Sequence, residues 1–184
     1  MSKFSCYEIL KSNAKELKRA HGIMLSEAQE RIAKQAGFSH FHELSVVAKK
    51  DPLENRLMVA ALGVSDLSEA LYEDNIYVEL DQALEEQLSG AIADTNADNF
   101  SMDGDEEITE HEYDESTGML TLKVSLTYLG DQHPDRVYAG SAFYLDTIVR
   151  LVRRNNKWEF AEDGLEIING ESDQDRDWAA QEGY

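Results

Sequence analysis

The sequence predicts an α+β protein: a small N-terminal helical bundle, then a long helix packed on an antiparallel sheet of four or five strands. Three observations lead there. Apolar residues recur at helical spacing in short blocks as far as Leu62, at helical spacing again in one long block from Ile76 to Ile92, and at alternate positions in Met119–Tyr128. Helices followed by a run of strands, with no internal repeat, is the pattern of segregated α+β layers. The 184 residues are 42% hydrophobic and 9% aromatic, enough apolar area for one ordinary domain or two small ones and more than a disordered chain carries.

Between Tyr7 and His21, the residues Leu10, Ala14 and Leu17 share one helical face while Lys11, Lys15, Lys18 and Arg19 lie opposite, and Gly22 ends the helix. Ser26 followed by Gln29 reads as a capping box that opens a second helix, with Ala28, Ile32, Ala33 and Ala36 inward before Gly37. Ser39 reads as the cap of a third, with Phe41, Leu44 and Val47 inward and its end set by Pro52. Glu54–Leu62 is a fourth, closed by Gly63. This organisation predicts a helical module over 1–63, a linker over 64–75, an α+β module over 76–170 and an acidic tail over 171–184 polar enough to fray.

The stretch GIMLSEAQERIAKQAGFSHFHEL, within Lys11–Leu44, resembles the small helical module that some bacterial glyoxalase-related proteins carry near their N-termini. The likeness rests on Leu25-Ser26 opening a helix, Gly37-Phe38, and the Phe41-His42-Glu43-Leu44 close, with Phe41 where tryptophan is more usual. It implies a fold for about a fifth of the chain. No glyoxalase metal site carries over, because that chemistry belongs to a domain with no counterpart here.

In the second module, Ile76, Leu80, Leu84, Leu88, Ala91 and Ile92 line one face of a long helix, with Asp81, Glu85 and Glu86 opposite. Met119–Tyr128 alternates, with Leu120, Leu122, Val124, Leu126 and Tyr128 on one side. Glu106–Tyr113 can pair with it through a turn at Asp114–Gly118. Ala142–Arg154 reads as a strand, the Asn155-Asn156 pair as a tight turn, Lys157–Ala161 as the next strand, and Asp163-Gly164 as a turn into Leu165–Ile168.

Charge is the strongest functional signal. The formal net charge is −20, and it is uneven: residues 1–62 carry ten Lys/Arg against seven Asp/Glu, and residues 63–184 carry seven against thirty. A body this negative repels phosphate backbones and favours basic protein surfaces. No run of about 18 apolar residues predicts a membrane span, no apolar leader opens the chain, and the single cysteine, Cys6, fits a reducing compartment, so a cytosolic location is expected. Cys6 itself reads as a small buried hydrophobe.

Within Asp103–Glu115, the carboxylates Asp103, Asp105, Glu106, Glu107, Glu110, Glu112, Asp114 and Glu115 read either as a solvated edge that resists aggregation or as a partner-binding array. The array could imitate the phosphate spacing of DNA and occupy a basic cleft. The main alternative is a DNA-binding regulator that uses Lys11, Lys15, Lys18 and Arg19. Asp94–Asp105 loosely resembles a calcium loop but reads better as a polar connection, since Asn99 stands where glycine is needed. His40 and His42, two apart on a helix, cannot share a metal from one face, and Cys6 with His21 supplies no ligand spacing. No nucleophile motif, phosphate loop or other cofactor cradle occurs. The expectation is a non-enzymatic protein without cofactor, with a pocket between helix and sheet as the enzymatic alternative. Arg150, Arg153 and Arg154 read as neutralising neighbouring carboxylates, and Trp178 and Tyr184 as aromatics in the tail that dock on the protein or a partner.

Overall fold

Helix α1, Cys6–His21, starts where the Ser5 hydroxyl accepts the Glu8 amide and stops at Gly22, whose φ of 65° is the left-handed conformation a glycine cap adopts without strain. Helices α2 (Leu25–Gln35), α3 (Phe41–Lys50) and α4 (Asn55–Leu62) follow. Two caps differ from expectation. The N-cap of α2 is Met24, which places Ser26 inside the first turn, and that of α3 is His40, while the Ser39 amide donates to Glu43 at 2.8 Å. Leu25-Ser26 nonetheless opens α2. The computed structural model describes residues 2–154 and 156–182, without the side chains of Asp74, Ala179, Gln181 and Glu182.

The stretch that reads as a linker contains a 3-10 helix, Leu67–Tyr72, with Leu67, Ala70 and Leu71 buried. Helix α5, Asp74–Ala93, leads into an antiparallel sheet of five strands: β1 (Ala97–Met102), β2 (Glu107–Asp114), β3 (Met119–Gln132), β4 (Ala142–Arg154) and β5 (Lys157–Ser172). Helix α6, Asp173–Glu182, follows β5. The sheet order is β1-β3-β4-β5, with β2 also on β3. Because β4 takes one edge of β3, β1 and β2 share the other: β1 pairs with Tyr128–Gln132, and the Thr109 hydroxyl reaches the Lys123 carbonyl.

The sheet corrects three expectations. Asp94–Asp105 is not a connecting loop, since β1 occupies its centre, with one extra residue between Asp98 and Ser101 where Asn99 takes φ 54°. Asp163-Gly164 is not a turn; β5 runs through it. A Cβ on Gly164 would lie 2.6 Å from the Phe160 ring, so glycine here admits an aromatic side chain over the backbone. The tail is not wholly loose, because β5 reaches Ser172 and α6 follows it. Its first turn is closed reciprocally, the Ser172 amide donating to Asp175 and the Asp175 amide to Ser172, each at 3.0 Å. Asn156 has the positive φ, 61°, expected of the β4–β5 turn, and its neighbour Asn155 lies outside the described residues.

Two compact units are present. Unit 1 is Met1–Leu71 with Tyr113–Leu120 and Val152–Glu159; unit 2 is Tyr72–Glu112 with Thr121–Leu151 and Phe160–Tyr184. In unit 1 the helices bury Leu10, Leu44, Leu57 and Leu62 together with alanines such as Ala14, Ala28 and Ala33, whose small size lets helix axes approach. The buried Trp158 donates its indole N–H to the Leu62 carbonyl at 3.1 Å and meets Tyr113 edge-on at 6.0 Å. Phe4 packs over Gly118, where a Cβ would sit 2.8 Å from its ring, and the Phe4 amide donates to the Glu115 carbonyl.

In unit 2, α5 buries Ile76, Leu80 and Leu84, and the sheet buries Leu122, Val124, Leu126, Tyr128, Leu145, Val149 and Leu151. The alternation predicted for β3 holds without exception from Leu120 to Tyr128. Two hydrogen bonds hold α5 to opposite edges of the sheet: Gln87 to the Leu165 carbonyl at 3.1 Å, and the Met102 amide to Asp81 at 3.2 Å. The second half of the helix face is less enclosed than its helical spacing suggests, with Leu88 and Ile92 half-buried and Ala91 exposed.

Candidate functional site

The eight carboxylates of the acidic run have different roles. In unit 2, Asp103 accepts the Asp105 amide at 3.0 Å, closing the β1–β2 connection around Gly104. Glu106, just before β2, accepts the Tyr77 hydroxyl at 2.9 Å, tying the approach to β2 to α5. Burial pushes the Tyr77 phenol well above its ordinary value and the Glu106 carboxylate adds to that, so Tyr77 remains a proton donor. On β2, Glu107, Glu110 and Glu112 are exposed, and Glu110 pairs with Lys123 at 2.6 Å. This is an edge strand whose outward carboxylates resist edge-to-edge pairing.

Asp114 and Glu115 belong to unit 1 and are spent locally. Asp114 accepts the hydroxyls of Ser116 and Thr117 and the Ser116 amide, which build the β2–β3 turn and hold its carboxyl below the ordinary value. Glu115 lies near Cys6 and, after burial, is the next cause of a thiol pushed up to about 12; Cys6 is 1% exposed and stays protonated.

Outside that run, unit 2 has little to offset its charge. Between Arg56 and His111 the chain has no Lys, Arg or His. Unit 1 holds thirteen Lys/Arg against twelve Asp/Glu, a net of +1, and unit 2 holds four against twenty-five, a net of −21, which together make the −20 of the chain. The four cations of unit 2 each meet a carboxylate: Lys123 with Glu110, Arg136 with Asp98, Arg150 with Glu166 and Arg176 with Glu171. In the arginine cluster, Arg154 lies 3.7 Å from Glu159, while Arg153 stacks on Trp158 and donates to the Ala61 carbonyl.

On α1, Lys15, Lys18 and Arg19 are exposed, whereas Lys11 pairs with Glu8 at 3.0 Å and Glu16 stands among them. Lys18 and Arg19 occupy the last turn, where they complement the helix dipole. His40 lies 3.5 Å from Glu30, which also accepts the Phe41 amide, a role at the start of α3. Among the described residues, no three His, Cys, Asp or Glu are grouped to hold a metal ion. Extended β1 divides the calcium-like stretch: Asp98 lies on it, facing Asp131 across the ladder, while Asp94 and Asp105 lie beyond its two ends.

A cavity of about 430 Å³ in unit 2 is lined by Leu88 and Ala91 of α5, by Phe143, Leu145 and Ile167 of the strands, and by Asp173 of α6. Burial pushes the Asp173 carboxyl up, but hydrogen bonds from Tyr138, Ser141 and Gln174 outweigh it and hold the group below its ordinary value. A carboxylate so satisfied is a poor general base. Trp178, 66% exposed, stands on α6; Tyr184 lies outside the described residues. No described helix is long and apolar enough to cross a membrane. No family model, curated protein or solved structure matches the chain.

Proposed function

We propose that the chain is a non-enzymatic interaction protein of the cytosol whose unit 2 presents a negative surface to a basic protein partner. The observation that carries this reading is the net of −21 on unit 2, with exposed carboxylates along edge strand β2 and no basic residue between Arg56 and His111. A fixed field of one sign steers a basic partner into encounter, and carboxylates already held by a sheet need little ordering on binding. In its narrower form the surface imitates DNA and competes for the cleft of a nucleic-acid-binding protein. The regulator reading has less support, because the α1 cations are interleaved with Glu8 and Glu16.

The test is titration of the full chain with a basic peptide over a salt series. Binding should weaken steeply as salt rises, and Glu107→Gln, Glu110→Gln and Glu112→Gln combined should reduce both affinity and salt slope. Salt-independent binding, or none at low salt, overturns the reading. Competition between the chain and duplex DNA for a DNA-binding protein addresses the narrower form.

A further inference from the structure

Charge steers partners together, but most binding energy in protein interfaces comes from a few anchors, with tyrosine and arginine enriched among them. Unit 2 holds one arrangement suited to such an anchor. Tyr72, at the end of the 3-10 helix, is 51% exposed, and its ring stacks on that of Tyr77 from the first turn of α5, with centroids 6.5 Å apart and planes 25° from parallel. The Tyr77 hydroxyl is fixed on Glu106 Oε1, and the Tyr72 hydroxyl makes a long 3.5 Å contact with the Glu106 carbonyl. Two aromatic faces and a carboxylate are thus held together by three segments: the end of the 3-10 helix, α5 and the residue just before β2. Among the described residues no cation forms an ion pair with Glu106.

The chemistry of that group selects its ligand. Aromatic faces attract cations, and a guanidinium adds planar stacking that an ammonium lacks. A carboxylate has about four acceptor positions, and Tyr77 uses one on Oε1, so Glu106 can still receive N–H donors from a guanidinium. Tyrosine is a low-cost anchor because only two side-chain torsions need be fixed. A half-exposed Tyr72 stacked on a partly buried Tyr77, on a body of net −21, meets each requirement of a cation-binding contact.

Resting on the acidic-surface reading, we propose that Tyr72, Tyr77 and Glu106 form the arginine-binding anchor of unit 2, which takes a guanidinium from a basic protein partner. The surrounding carboxylates supply encounter and salt dependence, and this group supplies preference for arginine over lysine.

The experiment titrates the full chain with oligo-arginine and oligo-lysine peptides of equal length, by calorimetry and by NMR of the tyrosine rings. The wild type should bind the arginine peptide about fivefold more tightly, with the Tyr72 and Tyr77 ring signals shifting. Tyr72→Leu, at a half-exposed position, should bring the two affinities together without weakening the lysine complex. Tyr72→Phe keeps the ring face and should keep the preference. Glu106→Gln should weaken the arginine complex more than the lysine one. The anchor is overturned if Tyr72→Leu retains the preference, or if peptide binds while the ring signals stay still. Equal binding of both peptides with unmoved rings leaves the acidic-surface reading standing and removes the anchor; no binding of either removes both.

Discussion

Units 1 and 2 differ in how many of their carboxylates are balanced by cations: twelve against thirteen Lys/Arg in unit 1, twenty-five against four in unit 2. In unit 1 most of them act locally. Glu8 pairs with Lys11, Glu27 with Arg31, Glu54 caps α4 and pairs with Arg56, and Glu43 and Glu69 receive the amides of Ser39 and Ser65. Those hydrogen bonds hold the Glu43 and Glu69 carboxyls below their ordinary values; at Glu54 they do so against an upward push from burial. Unit 2 carries about twice as many carboxylates with four cations. Carboxylates that are capped or bridged stabilise the fold, and those that face only each other strain it. An excess of the second kind therefore needs a reason outside folding.

The largest effect should come from the core that offsets this repulsion. Leu84 is fully buried where α5 meets the sheet, and Leu84→Ala should cost about 3 kcal/mol through lost burial and the cavity left behind. Urea unfolding followed by circular dichroism measures it. A cost below about 1 kcal/mol would mean that α5 is not what closes the sheet.

Salt separates the units next. Raising ionic strength from about 0.01 to 1 M shortens the screening length from roughly 30 to 3 Å, and relieving one close carboxylate pair in water is worth on the order of 1 kcal/mol. Amide exchange should show unit 2 gaining protection as salt rises, while unit 1, net +1, changes little. Equal gains in both would erase the electrostatic contrast.

A sharper probe makes the same chemical change in each setting. Asp114→Asn should destabilise the protein at neutral pH, because the turn loses its charged acceptor. The folded carboxyl is depressed below its unfolded value, so its contribution is present above the unfolded value, near 3.9, and is lost as pH falls through the folded one. Wild type should therefore lose stability over that acid range in a way the variant does not. Glu112→Gln, on the exposed edge, should instead leave stability unchanged or raise it by less than about 0.5 kcal/mol. Thermal melts from neutral pH to about pH 2 compare them, and the same sign for both would refute the distinction.

How much of this was legible in sequence follows from which forces act locally. β3 could be read because its alternation reports burial directly, and β4 because its β-branched and aromatic residues favour a strand. β1 could not: Ala97–Met102 is rich in Asp, Asn and Ser, contains a bulge at a positive-φ asparagine, and is held as a strand by its β3 partner rather than by its own pattern. Asp163-Gly164 carried the residues of a turn, but the glycine serves the ring of Phe160, a contact no periodicity reveals. Ser172 with Asp175 was a readable capping signal obscured by the polarity of its surroundings. The candidate surface was half visible. The acidic run stood out by composition, whereas Tyr72 and Tyr77 gain meaning only beside Glu106, some thirty residues downstream, and that proximity is made by the fold.

The smallest stability effect bears most directly on function. Lys123 and Glu110 form an ion pair on side chains 48% and 66% exposed, and such pairs contribute about 0–1 kcal/mol, so Lys123→Met should barely move the unfolding midpoint. Its effect on encounter should run the other way. Removing the cation seated against Glu110 deepens the local negative potential along β2, so association with a basic peptide should quicken at low salt while dissociation hardly changes. Stopped-flow rates at two salt concentrations distinguish the cases. A faster association that vanishes at high salt means that Lys123 moderates a surface built to attract cations. An unchanged rate means that the edge carboxylates guard the sheet and do not recruit, and the difference between the two units would then concern solubility alone.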